Sequence, residues 1–428
     1  MSEQLLTLDA YDTLWFRDGR PFDQMDEGLA EARSVFPPSP STLAGAIASI
    51  LAPLIGDESR ESDHFAPRLR LISEGDESMS GQITMVGPFL VDDSGNLFVP
   101  APATLIAPRI ERLSALGISH AKYITDRQRL GILLPRSDLF ADAQLLPFPI
   151  AINPKGDLSK YESLASMGYW VREKDFAAHM MDMMPRNLFV PRSSEAFHRE
   201  QRIGIGVTAA TRTATDGQLF AAQHLRPEDR GNGRMRLAMI VSDPLELVGN
   251  TLAERIAVIG GKGRFARIDL KNIDLAALFS TPEMRPWREK TGRIYFRLTA
   301  MTPVPVHAAS QLGLQLPTAA IAEILPDFRV HSVVMPRRPT PTGIWNSVGK
   351  SKMRVVQCHS AGTTWFASCL KMDGDAVSQV NAIREAFVAS QHVPVGMADL
   401  GAMGFGKLIA GEWPDFAELQ SRVKKELI

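Results

Sequence analysis

Cysteine is nearly absent: Cys358 and Cys369 are the two in 428 residues. Neither belongs to a C-x-x-C pair, and two thiols cannot build a disulfide framework or a four-ligand zinc cluster. A reducing, cytoplasmic setting is the default expectation. Long apolar runs are missing as well, for nowhere do about 18 apolar residues stand together, the length a bilayer-crossing helix needs. The first ten residues, MSEQLLTLDA, carry acidic side chains and no basic leader before an apolar stretch, so neither secretion nor a membrane partner is expected. Charge of one sign is lacking too. With 47 Lys and Arg against 48 Asp and Glu, attraction to a phosphate backbone has to come from local patches.

Catalytic spacing is also wanting. The nine histidines form no HxxxH, HxH, HD or Cys/His grouping, and the chain has no GxSxG and no Asp-rich metal motif. No catalytic residue, metal or cofactor is therefore expected. His359, beside Cys358 in a strand-like run, reads as a core or sheet position.

What is present is a globular pattern, 45% hydrophobic and 22% charged, long enough for two domains. TLDAYDTLWF (7–16) reads as a strand and FRDGRPF as a turn. Ser39 is a natural N-cap with Pro40 at the first helical position; Leu43, Ile47, Ile50, Leu51 and Leu54 follow at helical spacing, and Pro53 and Gly56 end the helix. Residues 57–198 alternate short strand-like runs with Pro-rich loops and an amphipathic stretch near Arg172 to Met184, and read as a long insertion. RIGIGVT, QLFAAQHL and MRLAMIVS then read as strands, with Asp216-Gly217 as a hairpin turn. DPLELVGNTLAERIAVI reads as a helix and RFARIDL as a strand. The second half repeats the plan: IYFRLTAM, a KMRVVQCHS/TTWFASCL hairpin, the helix VSQVNAIREAFVASQ, a glycine loop and KLIAGEW. This β-α-β-β-α-β order, met twice, predicts an α+β fold of two tandem ferredoxin-like, RRM-like domains, 1–275 with the insertion at about 57–198 and 290–428. RNA-recognition relatives of that unit hold single-stranded RNA on the sheet.

Two glycine loops, Gly260-Gly261-Lys262-Gly263-Arg264 and Gly401-Ala402-Met403-Gly404-Phe405-Gly406 before Lys407, are each expected between a helix and a strand. That is the reverse of a dinucleotide or P-loop site. Such glycines either bring main-chain N–H groups against a phosphate or let a loop pack tightly. Residues 262–297 hold nine basic and four acidic residues, and 327–354 hold six basic residues against Asp327 alone. In the second stretch Arg337, Arg338, Lys350, Lys352 and Trp345 are expected on an exposed loop, where they offer guanidinium forks and a stacking ring to RNA, or else simply face solvent. Arg17 and Arg20 stand close to the Ser39, Ser41 and Thr42 helix start, whose free N–H groups favour anions; alternatively Asp18 pairs with those arginines and the segment builds a turn. Arg212 is a further candidate RNA contact.

Taken together, FRDGRPF, FPPSPSTLAGAIASIL, GPFLVDDSGNLFVPAP, RIGIGVTAATRTATDGQLFAAQHLR, GGKGRF, FRLTAMTPV and GMADLGAMGFGKLIAGEW resemble subunit three of the Cmr complex, the type III-B CRISPR-Cas effector. The resemblance spans nearly the whole chain and places it in the repeat-associated mysterious protein superfamily, which has tandem ferredoxin-like domains. It implies a non-catalytic subunit that holds the repeat-derived 5′ tag of the CRISPR RNA, binds the large polymerase-like subunit and neighbours the backbone Cmr subunit. Gly260 to Arg264 and Gly401 to Lys407 would then carry the glycine-loop roles. One departure stands out: the family's first loop often reads GGE followed by basic residues, and here Lys262 and Gly263 replace that pattern. An endoribonuclease like the repeat-processing members of the superfamily would need an acid and a base, with His198, His224 and His359 as the available candidates. A small-molecule nucleotide binder using the glycine loops is a third reading.

Overall fold

The structure, a computed structural model, describes residues 2–16, 30–51, 83–109, 131–135, 149–152, 161–180, 193–208, 210–227, 234–243, 252, 255–261, 263–279, 287–306, 321, 325–346, 351–372, 376–389, 391–394, 397–413, 415 and 421. The chain begins with β1 (Ser2–Ala10), the short β2 (Ala30–Ala32) and α1 (Pro40–Leu51). β3 (Thr84–Val91), β4 (Leu97–Pro100), β5 (Leu105–Pro108), β6 (Gly131–Pro135) and β7 (Pro149–Ile152) follow. Next come β8 (Tyr161–Ser163), β9 (Trp170–Arg172), α2 (Glu173–Met180) and α3 (Ser193–Ala196). A long pair, β10 (Phe197–Val207) and β11 (Ala214–Pro227), precedes β12 (Arg236–Asp243), β13 (Ile256–Val258), β14 (Phe265–Ile273) and α4 (Leu275–Phe279). The remainder comprises β15 (Glu289–Lys290), β16 (Arg293–Ala300), β17 (Val304–Pro305), β18 (Arg329–Val334), β19 (Thr340–Asn346), β20 (Ser351–His359) and β21 (Thr364–Leu370). The last three elements are α5 (Ala376–Ala389), α6 (Ala398–Ala402) and β22 (Leu408–Glu412). Among the described residues the chain is thus mixed α and β, mostly antiparallel sheet with few helices.

Contacts divide it into two discontinuous units. One comprises Met1–Gly95, Ser193–Asn272 and Pro341–Val356; the other comprises Asn96–Arg192, Ile273–Thr340 and Gln357–Ile428. In the first, strands lie in the order β13-β14-β1-β12-β3. β1 and β12 run antiparallel from Ser2↔Asp243 to Leu8↔Leu237, and β12 pairs antiparallel with β3. Buried Leu43, Ile47 and Leu51 repeat every four residues on α1, so one face packs on β3 and β13. At about 1.5–3 kcal/mol per buried aliphatic side chain, that stripe holds the helix in place. A separate ribbon sets β10 antiparallel to β11, with β2 parallel to it.

In the second unit the order is β15-β16-β21-β18, with β22 paired to β16. Alternation on β16 sends Ile294, Phe296 and Leu298 into a core shared with Trp365, Ala367 and Cys369 of β21 and with Val380, Ile383 and Phe387 of α5. Both cysteines are buried and unbridged, and burial pushes the Cys369 thiol up to about 11. Taken by chain position, β14-β1-β12-β3 and β22-β16-β21-β18 share one order: fourth, first, third, second.

Several local expectations change. GPFLVDD, read as part of an insertion, is the body of β3; it is buried on both faces and so belongs to the first unit's sheet, while 96–192 cluster with the other unit. The helix expected to reach Ile259 gives way to β13 at its end, because Ala257 alone points inward between exposed Ile256 and Val258, a two-residue period. Asp216-Gly217 lie inside β11. The turn is instead at Thr208–Thr213, closed by Arg212 N–H to the Thr208 carbonyl at 2.7 Å, with Arg212 in the left-handed region at φ 55°. The segment expected as an exposed loop after Arg338 is largely the strand pair β19 and β20.

Candidate nucleic-acid interface

Residues 11–16, which continue β1, gather the first unit's polar surface. Leu14 exchanges two main-chain hydrogen bonds with Leu225 of β11, each 2.8 Å; the Phe16 carbonyl accepts from Val35 at 2.8 Å; and the Trp15 carbonyl accepts from Gly261 N–H at 2.9 Å. Phe36 packs at a tilt against Phe197 with ring centroids 4.7 Å apart, which fixes the start of α1 against the start of β10.

Onto this frame the ribbon brings charge. Asp12 receives Arg202 at 3.0 Å, Arg226 at 3.1 Å and Arg264 at 3.4 Å, while Glu200 receives Arg202 at 2.7 Å and Arg226 at 2.5 Å. Three guanidiniums against two carboxylates leave a positive excess, each of them partly exposed. Hydrogen bonds from Arg226 and then Arg202 hold the Glu200 carboxyl down at about 2. For Asp12, burial pushes upward, and the bonds from Arg202 and the Thr13 N–H with the neighbouring positive charges outweigh it, so its carboxyl also titrates low. With side chains 32%, 44% and 23% exposed, Arg202, Arg226 and Arg264 each keep a solvent-facing part of a kind that suits a phosphate oxygen.

The first glycine loop joins β13 to β14, not a helix to a strand, and closes through Ile259 N–H to the Arg264 carbonyl at 2.7 Å. Gly260 (φ 69°) and Gly261 are required by packing, since a Cβ on either would overlap the Trp15 carbonyl or ring. Gly263 (φ 60°) is exposed with open space beside it. Lys262 lies outside the described residues. The loop therefore presents its Gly263-Arg264 side outward and seals its other side on Trp15.

The second loop is interior throughout. Gly404 N–H bonds the Gly401 carbonyl at 2.9 Å and Phe405 N–H the Leu400 carbonyl at 3.0 Å, the pair of bonds that ends a helix when the residue after it takes positive φ; here Gly404 does, at 106°. Gly406 (φ 75°) lies against His392, whose N–H bonds its carbonyl at 2.7 Å. Phe405 and Lys407 are each 1% exposed, and the Lys407 ammonium donates to the Val388 carbonyl in the last turn of α5. The expectation that Gly401, Gly404, Phe405, Gly406 and Lys407 face a ligand is thus corrected: they stop one helix, cap another and fill the core.

Of the other candidates, Arg17, Arg20 and Lys350 lie outside the described residues, as do the side chains of Trp345 in β19 and Lys352 in β20. Ser39 and Ser41 bond each other through their hydroxyls at 2.8 Å, and Thr42 N–H bonds the Ser39 carbonyl at 2.9 Å. Arg212 stands exposed at the ribbon tip. Arg337 and Arg338 are exposed between β18 and β19, with Arg337 Nε donating to Ser360 Oγ at 2.8 Å. Sequence reasoning passed over Asp12, Glu200, Arg202 and Arg226. The available signal was the REQR and HLR charge within the ribbon strands, where alternation keeps 200 and 202 on one face.

His224 is buried against Thr13 Oγ1 at 3.1 Å, His359 packs edge-on against Trp365, and His198 is exposed on β10. Among the described residues no group of three or more His, Cys, Asp or Glu side chains could hold a metal ion, and no helix is long and apolar enough to cross a membrane.

The family model described as CRISPR-associated protein (Cas_Cmr3) matches residues 6–413. The chain belongs to the Cas_Cmr3 family. Membership makes it a subunit of a type III CRISPR effector of the Cmr kind. Solved structures similar to this Cas_Cmr3 chain include one from the cryo-EM structure of the Type III-B Cmr-beta bound to cognate target RNA and AMPPnP, at 13% identity and a TM-score of 0.42, covering 85% of this chain and 86% of that one. Another is in the crystal structure of the Csm1-Csm4 cassette with AMPPNP, at 10% identity and a TM-score of 0.32, covering 85% and 87%. No curated protein matches the Cas_Cmr3 chain.

Proposed function

We propose that this subunit is the non-catalytic part of its effector that holds the 5′ repeat-derived tag of the CRISPR RNA, and that it docks the large polymerase-like subunit and a backbone subunit in the cytoplasm. The observation that carries the reading is the fan of Arg202, Arg226 and Arg264 over Asp12 and Glu200, beside the outward turn at Gly263. Rigid forks of that kind suit phosphate oxygens, and the open glycine lets a backbone approach the main chain. The repeated strand order supports two tandem ferredoxin-like modules as the scaffold. Arg212 at the ribbon tip extends the proposed RNA surface, with Ser39, Ser41 and Thr42 at the helix start, and Arg337 with Arg338 are separate candidate RNA contacts of the other unit. Among the described residues, a nucleotide-pocket reading lacks a helix start at the first glycine loop, which leads into β14.

The test is the salt dependence of guide-RNA binding by the effector assembled with Arg202→Gln, Arg226→Gln and Arg264→Gln together. Each lost contact to a single strand lowers the log–log slope by about 0.7. A slope equal to that of the unaltered complex would sink the reading.

A further inference from the structure

A second surface in the first unit adjoins the arginine fan through Arg264. On the outer face of its sheet, Tyr11, Ile256, Val258 and Phe265 are 63%, 56%, 53% and 53% exposed. They are contiguous. Val258 pairs directly with Phe265 across β13 and β14, Ile256 pairs with Arg267, and Tyr11 N–H donates to the Phe265 carbonyl at 3.1 Å, which sets Tyr11 beside Phe265 on the next strand. Direct cross-strand neighbours share a face at about 4.5–5.5 Å between Cβ atoms, so Val258, Phe265 and Tyr11 form one row. The next row holds Ile256, Arg267 and Asp9, the last two 4.0 Å apart.

An apolar patch of this kind marks a binding surface, and its chemistry favours one occupant. Two of its four bulky groups, Tyr11 and Phe265, are aromatic and stand side by side on adjacent strands, the arrangement on which successive unstacked bases lie flat. Arg267, two residues along the same face from Phe265, has its side chain 49% exposed, and Arg264 adjoins Phe265 in the chain. A leucine-rich protein contact has no need of paired rings, and a duplex could not bring its bases to them.

We propose that the Val258–Phe265–Tyr11 row is a stacking platform for two unpaired bases of single-stranded RNA, with Arg264 and Arg267 placed for the flanking phosphates. The inference rests on the reading that this subunit holds RNA, and it names where bases, as distinct from phosphates, are gripped.

The probe is a short fluorescein-labelled single-stranded RNA of mixed sequence, bound to the full-length chain and to the assembled effector. Phe265→Leu with Tyr11→Leu keeps apolar area and removes the rings, whereas Phe265→Tyr with Tyr11→Phe keeps both rings. The leucine pair should weaken binding by about tenfold or more, since a base on an aromatic ring is worth about 1–3 kcal/mol, with the salt slope unchanged; the ring-keeping pair should bind like the unaltered protein. Equal affinity for the leucine pair would overturn the platform while leaving RNA binding intact. Loss of neighbouring subunits on purification, with RNA affinity retained, would mean that the face docks protein and would also overturn it. If the unaltered effector binds no RNA, the underlying reading fails and takes the platform with it. Should the leucine pair melt early, 4-thiouridine crosslinking to the unaltered chain decides instead: adducts on Tyr11 or Phe265 support the platform, and adducts confined to other peptides overturn it.

Discussion

Replacing one glycine in each loop by alanine separates a packing role from an outward-facing one. At Gly263 the new methyl meets nothing within 4 Å, so the cost is that of a left-handed L-residue, about 1–2 kcal/mol. Reduced freedom of the unfolded chain offsets about 0.4–1 kcal/mol of it, leaving about 0.8 kcal/mol at the middle of both ranges. At Gly406 the same two effects apply, and the methyl also runs into the His392 carbonyl. Overpacking of that kind adds about 1–3 kcal/mol, for a net of about 2.8 kcal/mol at the middle of these ranges. Hydrogen exchange read by mass spectrometry reports local opening on this scale. For Gly406→Ala, peptides spanning 391–413 should exchange about 30-fold faster or more, at 1.4 kcal/mol per tenfold. For Gly263→Ala, acceleration of about fivefold at most should appear, confined to 256–273. Equal exchange in the two variants would refute the assignment of the second loop to the interior.

Replacing Arg212 by glycine relieves a left-handed arginine and should raise thermal stability slightly, by about 1 kcal/mol, while lowering guide-RNA affinity; a lower melting temperature would contradict the φ of 55°. Arg337→Ala with Arg338→Ala should weaken guide-RNA binding and flatten its salt dependence, checked by anisotropy titration at several salt concentrations. Glu200 titrates at about 2 in the fold, below its unfolded value near 4.3. Its contribution is complete above that value and is lost as pH falls toward 2. The melting-temperature gap between the unaltered protein and Glu200→Gln should therefore be flat above about pH 5 and close below it. His331 and His392 are each held at about 4, by burial first and then by Arg293 and Lys407 respectively. Both favour the fold above about pH 6.5, and that support fades as pH falls toward 4, so His392→Gln should flatten part of the acid limb in a pH-resolved melting series.

Elements that carry a complete pattern were legible in the sequence. α1 could be read from Ser39-Pro40 and the Leu43, Ile47, Leu51 stripe, β16 and β21 from their runs of aromatic and β-branched residues, and α5 from its helical spacing. GPFLVDD was legible as a strand-like run, but its place in the first unit's sheet was not, because a strand buried on both faces carries no alternation to show which neighbours it takes. β13 was hidden by length: three residues behind a helical-looking run carry too little signal to compete with it. The two glycine loops looked alike in sequence and differ in kind, since only neighbours distant in the chain, Trp15 for one and His392 with Pro303 for the other, decide which side each turns to solvent. The arginine fan was invisible for the same reason. Asp12 meets Arg202, Arg226 and Arg264 only once β1, the ribbon and β14 are side by side.

The hydrogen bonds of residues 11–16 to Val35, Leu225, Gly261 and Phe265 set an order on synthesis. The first module's amino-terminal strand waits for partners made some 200 residues later, with Asn96–Arg192 of the other unit emerging in between. A nascent chain stopped before β14 has an unfinished sheet and bare apolar strand edges, the condition in which chaperone capture or immediate assembly is most useful. Shortening the chain anywhere ahead of Ile273 should therefore cost the amino-terminal half its fold as well, although every residue of β1 and α1 remains.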